Sequence, residues 1–368
     1  MRVLYFTERD SPHDKRFLNA LAGTEHQVFV LRQFLCSPDI PIGIKEIGWP
    51  WGLPEWSNWR SWQDGKTQFQ TILDDVQPDV VHAGPVQGPA FLAALAEFRP
   101  LVTMSWGSDL LLHAKRSPWM RLATQYTLDH TDIFLGDCQT VLDEAARYGF
   151  SPSNMVRFPW GVDLDHFSPQ NAQFAGLEYR KLLNWEDKFI ILCNRTWSPV
   201  YGVDILAVAF ATAVKESGKL RLLLVGDGPQ SDVIHQILAP VRAHVHFSDW
   251  LMRQALLSIY GAADLYVSPS HCDGTSISLL EAMACGRPVL TSDIPGNKEW
   301  VIPGEVGDLF RDGDVNSLKD KLLELAEEPE LMHMGKRARR LAEERADWQK
   351  NFRKLMGAYQ IAYKQRSD

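Results

Sequence analysis

The stretch "DGTSISLLEAMACGRPVLTSD", residues 273–293, opens as a polar loop, becomes an apolar helix and ends in a second apolar run after Gly-Arg-Pro. A strand-sized run, "ADLYVSPS", precedes it. Strand, loop, helix and strand in this order describe a parallel unit with a crossover helix. One acid, Glu281, interrupts the apolar helix eight residues after Asp273. A helix suited to burial has no packing reason to carry it.

Outward from this unit the same alternation recurs. Toward the N-terminus lie "KFIILCNR", a helix at 203–216, "LRLLLVGDG", a helix at 230–239, "VHFSDW" and a helix at 252–261. The first half repeats the theme with "RVLYF", a helix at 14–23, "HQVFVLR", a helix near 65–77, "PDVVHAG", a helix at 88–97, "PLVTMSW", a helix near 117–129 and "TDIFLGD". The connector "FPWGVDLDHFSPQ" (158–170) has the turn residues of a boundary. A helix at 315–328 and a long charged helical pattern over 329–365 close the chain. Alternation of this kind predicts an α/β protein with two doubly wound, Rossmann-like domains facing across a cleft. The 368 residues suffice for two cores.

Composition narrows the function. A formal charge of −8 speaks against nucleic acid as the partner of the whole surface. The five cysteines, Cys36, Cys138, Cys193, Cys272 and Cys285, lack CxxC spacing, so neither a disulfide framework nor a zinc site is expected. "MRVLYFTERD" has no leader pattern, and no run of about 18 apolar residues occurs. The expected compartment is the cytoplasm, with peripheral contact at the inner membrane face as the less favoured alternative.

In open parallel sheets, ligands lie beyond the C-terminal strand ends. Gly274, Thr275 and Ser276 begin a helix there, where free N–H groups and the helix dipole favour an anion. Asp273 and Glu281 can accept hydroxyls of a sugar or ribose; the alternative makes Asp273 a cap and Glu281 a solvated residue. Arg195 ends a strand, and a guanidinium grips phosphate bidentately, although a surface ion pair would also explain it. Gly226, Asp227 and Gly228 form a tight turn without full G-x-G-x-x-G spacing, which argues against a dinucleotide fingerprint.

The quoted stretch resembles the sugar-nucleotide signature of retaining glycosyltransferases of the family 4 type (group 1), which have the GT-B architecture. Seven residues separate its two acids, as in that family, and "EAMACGRPV" follows. "FPWGVDLDHFSP", "LLLVGDGP", "ADLYVSPS" and "VGDLFRDGDVNSL" extend the resemblance. It implies transfer of a sugar from a nucleotide-diphosphate sugar to a sugar-containing acceptor, glycan, lipid-linked or small, without metal or other cofactor. Residues 166–346 would then bind the donor. Residues 1–165, joined by a helix at 347–368, would bind the acceptor.

By the resemblance, Glu281 holds the donor ribose, Asp273 lies near the donor sugar and the amides of 274–276 face the diphosphate. The turn at 226–228 lines the nucleotide pocket, with Trp250 as a wall or as core. Three departures stand out. Asp273 replaces the usual Glu, Tyr201 occupies the position of a phosphate-clamping Lys, and Trp106 that of a His near the donor sugar. On the acceptor side Asp109 is the foremost polar candidate for catalysis, with His82 and His13 as alternatives and Trp106 and Ser108 beside them. The alternatives in function are a sugar-nucleotide-binding protein with impaired catalysis and an NAD-linked oxidoreductase.

Two surface features stay open. Trp49, Trp51, Trp56, Trp59 and Trp62 suit an acceptor wall, a membrane-contact loop or a satellite apolar cluster. The basic run "GKRARRLAEER" (335–345) suits a solvated helix face or an anionic membrane.

Overall fold

A computed structural model describes residues 1–8, 11–32, 40–49, 54–56, 58–249 and 251–365. Trp51 and Trp250 lie outside the described residues. The chain divides into two compact units: Met1–Phe158 with Phe352–Asp368, and Pro159–Asn351.

The first unit holds a parallel sheet of strands β1 (Arg2–Thr7), β2 (Gln27–Arg32), β3 (Lys45–Gly48), β4 (Val80–Ala83), β5 (Leu101–Met104), β6 (Ile133–Gly136) and β7 (Met155–Arg157). Their order is β3-β2-β1-β4-β5-β6-β7. The central strands are buried on both faces, as their unbroken apolar runs require. The edge strands β3 and β7 are partly exposed and carry no such run, so the apolar pattern does not reveal them.

The second unit repeats the plan with β8 (Phe189–Cys193), β9 (Leu220–Val225), β10 (Val245–Ser248), β11 (Leu265–Ser268), β12 (Val289–Ser292) and β13 (Gly307–Phe310), ordered β10-β9-β8-β11-β12-β13. In each sheet the winding reverses once, between β1 and β4 and between β8 and β11. Loops leaving these neighbours diverge to opposite faces and leave a crevice at the strand ends. Both constellations described below stand at these reversals.

The charged pattern over 329–365 is two helices, Leu331–Arg345 and Trp348–Gln365. The break has a backbone cause. Val162 N–H donates to Ala346 O (2.7 Å), and Trp348 N–H donates to Val162 O (3.1 Å). A Cβ on Gly161 would meet Ala346 O at 2.6 Å, so only glycine permits the approach. The basic run ties the second unit internally. Arg339 donates to Phe167 O (2.7 Å) and Ala284 O (2.8 Å), and Arg337 to Glu305 O (2.5 Å). Among the described residues no helix is long and apolar enough to cross a membrane.

Helices Pro169–Leu183 and Arg253–Ala262 pack glycine on glycine. A Cβ on Gly176 would lie 2.0 Å from the Gly261 carbonyl carbon, and one on Gly261 would lie 1.9 Å from Ala172 O. Backbone cannot rotate aside as a side chain can, so overpacking here forces the helices apart. Gly176→Ala is expected to destabilise the second unit by about 1–3 kcal/mol. Urea unfolding of the variant, unchanged in midpoint, would contradict the packing described.

Candidate functional site

In the second unit, Arg195 leaves β8 and Asp273 follows β11, the two strands at the winding reversal. Their side chains pair, Arg195 Nη2 to Asp273 Oδ2 at 2.6 Å, with only 11% and 18% of each exposed. Arg195 Nη1 donates to Ser276 Oγ (2.6 Å) and Ser278 Oγ (3.2 Å). Ser276 is the N-cap of helix Ile277–Ala284, its hydroxyl facing Leu279 N–H at 3.5 Å. The guanidinium carbon sits 4.3 Å from the centre of the Tyr201 ring. Arg195 Nε–H is buried without a partner among the described residues. A buried cation with a donor to spare is suited to an anion.

Burial works against the charge on Arg195, and the neighbouring Asp273 carboxylate is the main opposing influence, so the guanidinium stays protonated. Burial lifts the Asp273 carboxyl, against the pull of Arg195 and of Gly274 N–H, which the carboxylate accepts. One of the three amides expected to face a diphosphate is thus directed at Asp273. Burial raises the Tyr201 phenol, so it remains a neutral donor near pH 7.

Glu281 joins this cluster through a residue that sequence gave no reason to choose. Tyr260 Oη donates to Glu281 Oε2 (2.7 Å), and Asn194 Nδ2 donates to Tyr260 Oη (2.8 Å). Asn194 precedes Arg195, so the β8 loop is connected to both acids. Tyr266 Oη donates to Ser278 Oγ (2.8 Å) and completes the floor. The alternation Thr275-Ser276-Ile277-Ser278 was the one available sign of Ser278; Tyr260 and Tyr266 look like ordinary core aromatics in sequence. Thr275 Oγ1 faces Trp300 Nε1 at 3.4 Å, and Gly274 rests on Gly296, where a Cβ would meet Gly274 O at 2.8 Å.

The turn at 226–228 packs on the β8 loop. Trp197 N–H donates to Asp227 O (3.0 Å), and a Cβ on Gly228 would lie 2.4 Å from Trp197 O. Gly226 adopts φ of 119°, which favours glycine. The Asp227 carboxylate accepts from Gly228 N–H and Ser231 Oγ, bonds that hold its pKa below the usual range.

In the first unit a cavity of about 330 Å³ opens at the β1/β4 reversal, lined by Thr7, Glu8, Ser11, Asp14, Pro85, Gln87, Trp106, Ser108, Asp109, His113 and Arg116 among others. Asp109 is 2% exposed. It accepts from Ser105 Oγ (2.7 Å), Trp106 N–H (3.0 Å) and Val86 N–H (2.9 Å), and thereby joins the loops after β4 and β5. Burial lifts its carboxyl, and these bonds oppose the shift. Asp14 receives Tyr5 Oη (2.9 Å) and Ser11 Oγ (2.5 Å). The His13 ring lies tilted at 57° to Trp106, ring centres 5.9 Å apart. His82 is fully buried, its Nδ1 2.6 Å from Tyr359 Oη of the C-terminal helix, and it does not line the cavity. Its surroundings are those of a core histidine, and burial depresses its pKa to about 3.

Of the residues expected from sequence, Arg195, Tyr201, Asp273, Gly274, Thr275, Ser276 and, through Tyr260, Glu281 come together in the second unit. Trp106, Ser108 and Asp109 come together in the first. Among the described residues, no group of three or more His, Cys, Asp or Glu is placed to hold a metal ion.

Residues 187–328 match the family described as glycosyl transferases group 1, and residues 2–139 match glycosyl transferase 4-like. The chain is 29% identical to a GDP-mannose-dependent monoacylated alpha-(1-6)-phosphatidylinositol monomannoside mannosyltransferase of Corynebacterium glutamicum, over 50% of each chain. The chain spans about half the length of the curated relatives it matches. Sucrose-phosphate synthase from Thermosynechococcus elongatus is similar in fold, with a TM-score of 0.81, 18% identity and 98% coverage of both chains. Anabaena HepE in complex with UDP-glucose gives a TM-score of 0.77, 19% identity and full coverage of both chains.

Two outcomes follow from the buried groups. Asp273→Asn leaves the Arg195 charge uncompensated and should destabilise the second unit by about 3–5 kcal/mol in urea unfolding; a loss below 1 kcal/mol would mean the pair is effectively solvated. For His82, the unfolded chain gains a proton near pH 6.5 while the folded chain stays neutral down to about 3. The unfolded state therefore binds more protons across that window, and stability falls as pH drops through it. By pH 4.5 the loss from this one residue is about 2–3 kcal/mol. His82→Gln should remove that part of the slope between pH 6.5 and 4.5, and an identical slope in both proteins would contradict it.

Proposed function

Because this chain belongs to the group 1 glycosyltransferases of GT-B architecture, we propose that it transfers a sugar from a nucleotide-diphosphate sugar to a sugar-containing acceptor, with retention of configuration and without a metal. The observation that carries this reading is the buried Arg195–Asp273 pair at the β8/β11 reversal, linked through Asn194 and Tyr260 to Glu281. The second unit takes the donor and the first the acceptor.

Arg195 supplies the positive charge that the departing diphosphate needs, through its unpaired Nε–H and the hydrogen bonds it can exchange with the incoming anion. Tyr201 stacks on the guanidinium and keeps its plane fixed. Glu281, whose carboxylate accepts from Tyr260, takes the ribose hydroxyls. Asp273 orients Arg195 and stands next to the donor sugar. In the reaction the bond from the anomeric carbon to the phosphate oxygen breaks. The acceptor oxygen bonds to the same face, and its proton passes to the departing phosphate oxygen. The HepE complex with UDP-glucose and the GDP-mannose dependence of the mannosyltransferase support a hexose nucleotide as donor.

A second reading, a nucleotide-sugar-binding protein with impaired catalysis, draws on Tyr201, which brings no second charge beside Arg195. One experiment separates the two. Transfer and hydrolysis are measured with UDP-, GDP- and ADP-sugars for the wild type and Glu281→Gln. The enzyme reading expects turnover with at least one donor and a loss of about 10- to 100-fold in kcat/KM for the variant. Binding without turnover favours the second reading, and unchanged kcat/KM in the variant removes Glu281 from the site.

A further inference from the structure

An apolar groove of about 700 Å³ lies on the first unit, beside the polar cavity at the β1/β4 reversal. One wall is helix Pro118–Asp129, whose Trp119, Leu122, Ala123 and Tyr126 line it at the i, i+3, i+4, i+7 spacing of a single face. The other wall is the start of helix Trp59–Val76 with Trp56 ahead of it, and Phe91 forms the floor. Such stripes are ordinarily buried. Here Trp119 is 73% exposed, Leu122 59% and Trp59 58%. A concave, mostly apolar site within the roughly 300–1,000 Å³ of small-molecule pockets is suited to an occupant.

Two further observations say what kind. Trp56 lines both the groove and the polar cavity, so the two adjoin at that residue. Arg116 lines the polar cavity and, with Lys115, Arg121 and Arg147, an adjoining basic depression. Lys115 and Arg147 are engaged by Glu144, whereas among the described residues the guanidinium groups of Arg116 and Arg121 make no ion pair. On a chain of net charge −8, this local positive edge favours an anion beside an apolar chain.

We propose that the groove seats the apolar tail of an amphipathic acceptor bearing an anionic group, whose hydroxylated head enters the adjoining polar cavity. The inference rests on the reading that the first unit takes the acceptor. It deepens that reading by naming the acceptor as a lipid-linked, negatively charged molecule. A single chain lodged in the groove accounts for its concavity, and Arg116 and Arg121 meet the charge where tail and head join.

The test uses the full chain and 11-(dansylamino)undecanoate, an anionic single-chain probe, below its micelle concentration. Saturable binding with a blue shift of the dansyl emission is expected. Leu122→Glu should weaken it at least about tenfold, and Arg116→Ala with Arg121→Ala should weaken it several-fold and flatten its salt dependence. All three positions are solvent-exposed, so folding is retained, and UDP and GDP binding by calorimetry should be unchanged in every variant. With active enzyme, octyl glycosides should show a lower KM than methyl glycosides, and Leu122→Glu should erase the difference. Probe binding that is absent or unaffected by Leu122→Glu overturns the proposal. So does a variant that binds the probe normally but no longer sediments with phosphatidylglycerol vesicles, since the groove would then be a membrane face. Failure of the Glu281→Gln experiment leaves probe binding intact, so the two readings fail separately.

Discussion

The pairing of Arg195 with Asp273 ties together the loops at the winding reversal of the second unit. Removing two charges from water costs several kcal/mol per ion unless their geometry and remaining hydrogen bonds are satisfied. The pair meets most of that condition by drawing in Ser276, Ser278 and Gly274 N–H, with Arg195 Nε–H left over among the described residues, so the β8 loop, the β11 loop and the start of helix Ile277–Ala284 must be held together. Glycine makes the approach feasible. A Cβ on Gly202 would lie 2.2 Å from Pro269 O and one on Gly296 2.5 Å from Asp273 O. The loops are thus locked by backbone contact before any ligand arrives, which is the condition for electrostatic stabilisation without reorganisation.

The first unit solves the same topological problem with a different device. There the buried carboxylate of Asp109 gathers amide and hydroxyl donors from the loops after β4 and β5, and Asp14 is buried at the same cavity. A carboxylate satisfied by N–H and O–H groups organises these loops from within, whereas a guanidinium with a spare N–H is suited to an anion. The same crevice, formed twice by the same winding, acquires opposite chemistry from the side chains placed in it.

Trp49 and Trp62 are core residues at 1% and 2% exposure, while Trp59 stands on the surface. One aromatic-rich segment therefore serves packing and surface at once. Aromatic composition could not apportion these roles, because burial of a tryptophan depends on which helix face meets the sheet. The basic run at 335–345 was ambiguous for a related reason. Its arginines cap backbone carbonyls of distant loops, partners that no local spacing identifies.

Sequence by itself determined the two-unit α/β plan and the parallel sheets, and it singled out residues 273–281. These depend on local facts: apolar runs bounded by turns, and two acids at a fixed spacing across a loop and a helix start. Tertiary structure alone decided which neighbours complete the site. Tyr260, Tyr266 and Asn194 are brought to Glu281 and Ser278 by the order of strands, which carries no signature along the chain. It also decided that His82 is enclosed against Tyr359, 277 residues away, because a β4 side chain meets the returning C-terminal helix. The single charged pattern over 329–365 became two helices for the same reason: Val162, far away in sequence, supplies the backbone partners that end one and begin the next. Periodicity reports how a segment can fold, whereas hydrogen bonds between remote segments exist only once the sheet has ordered them.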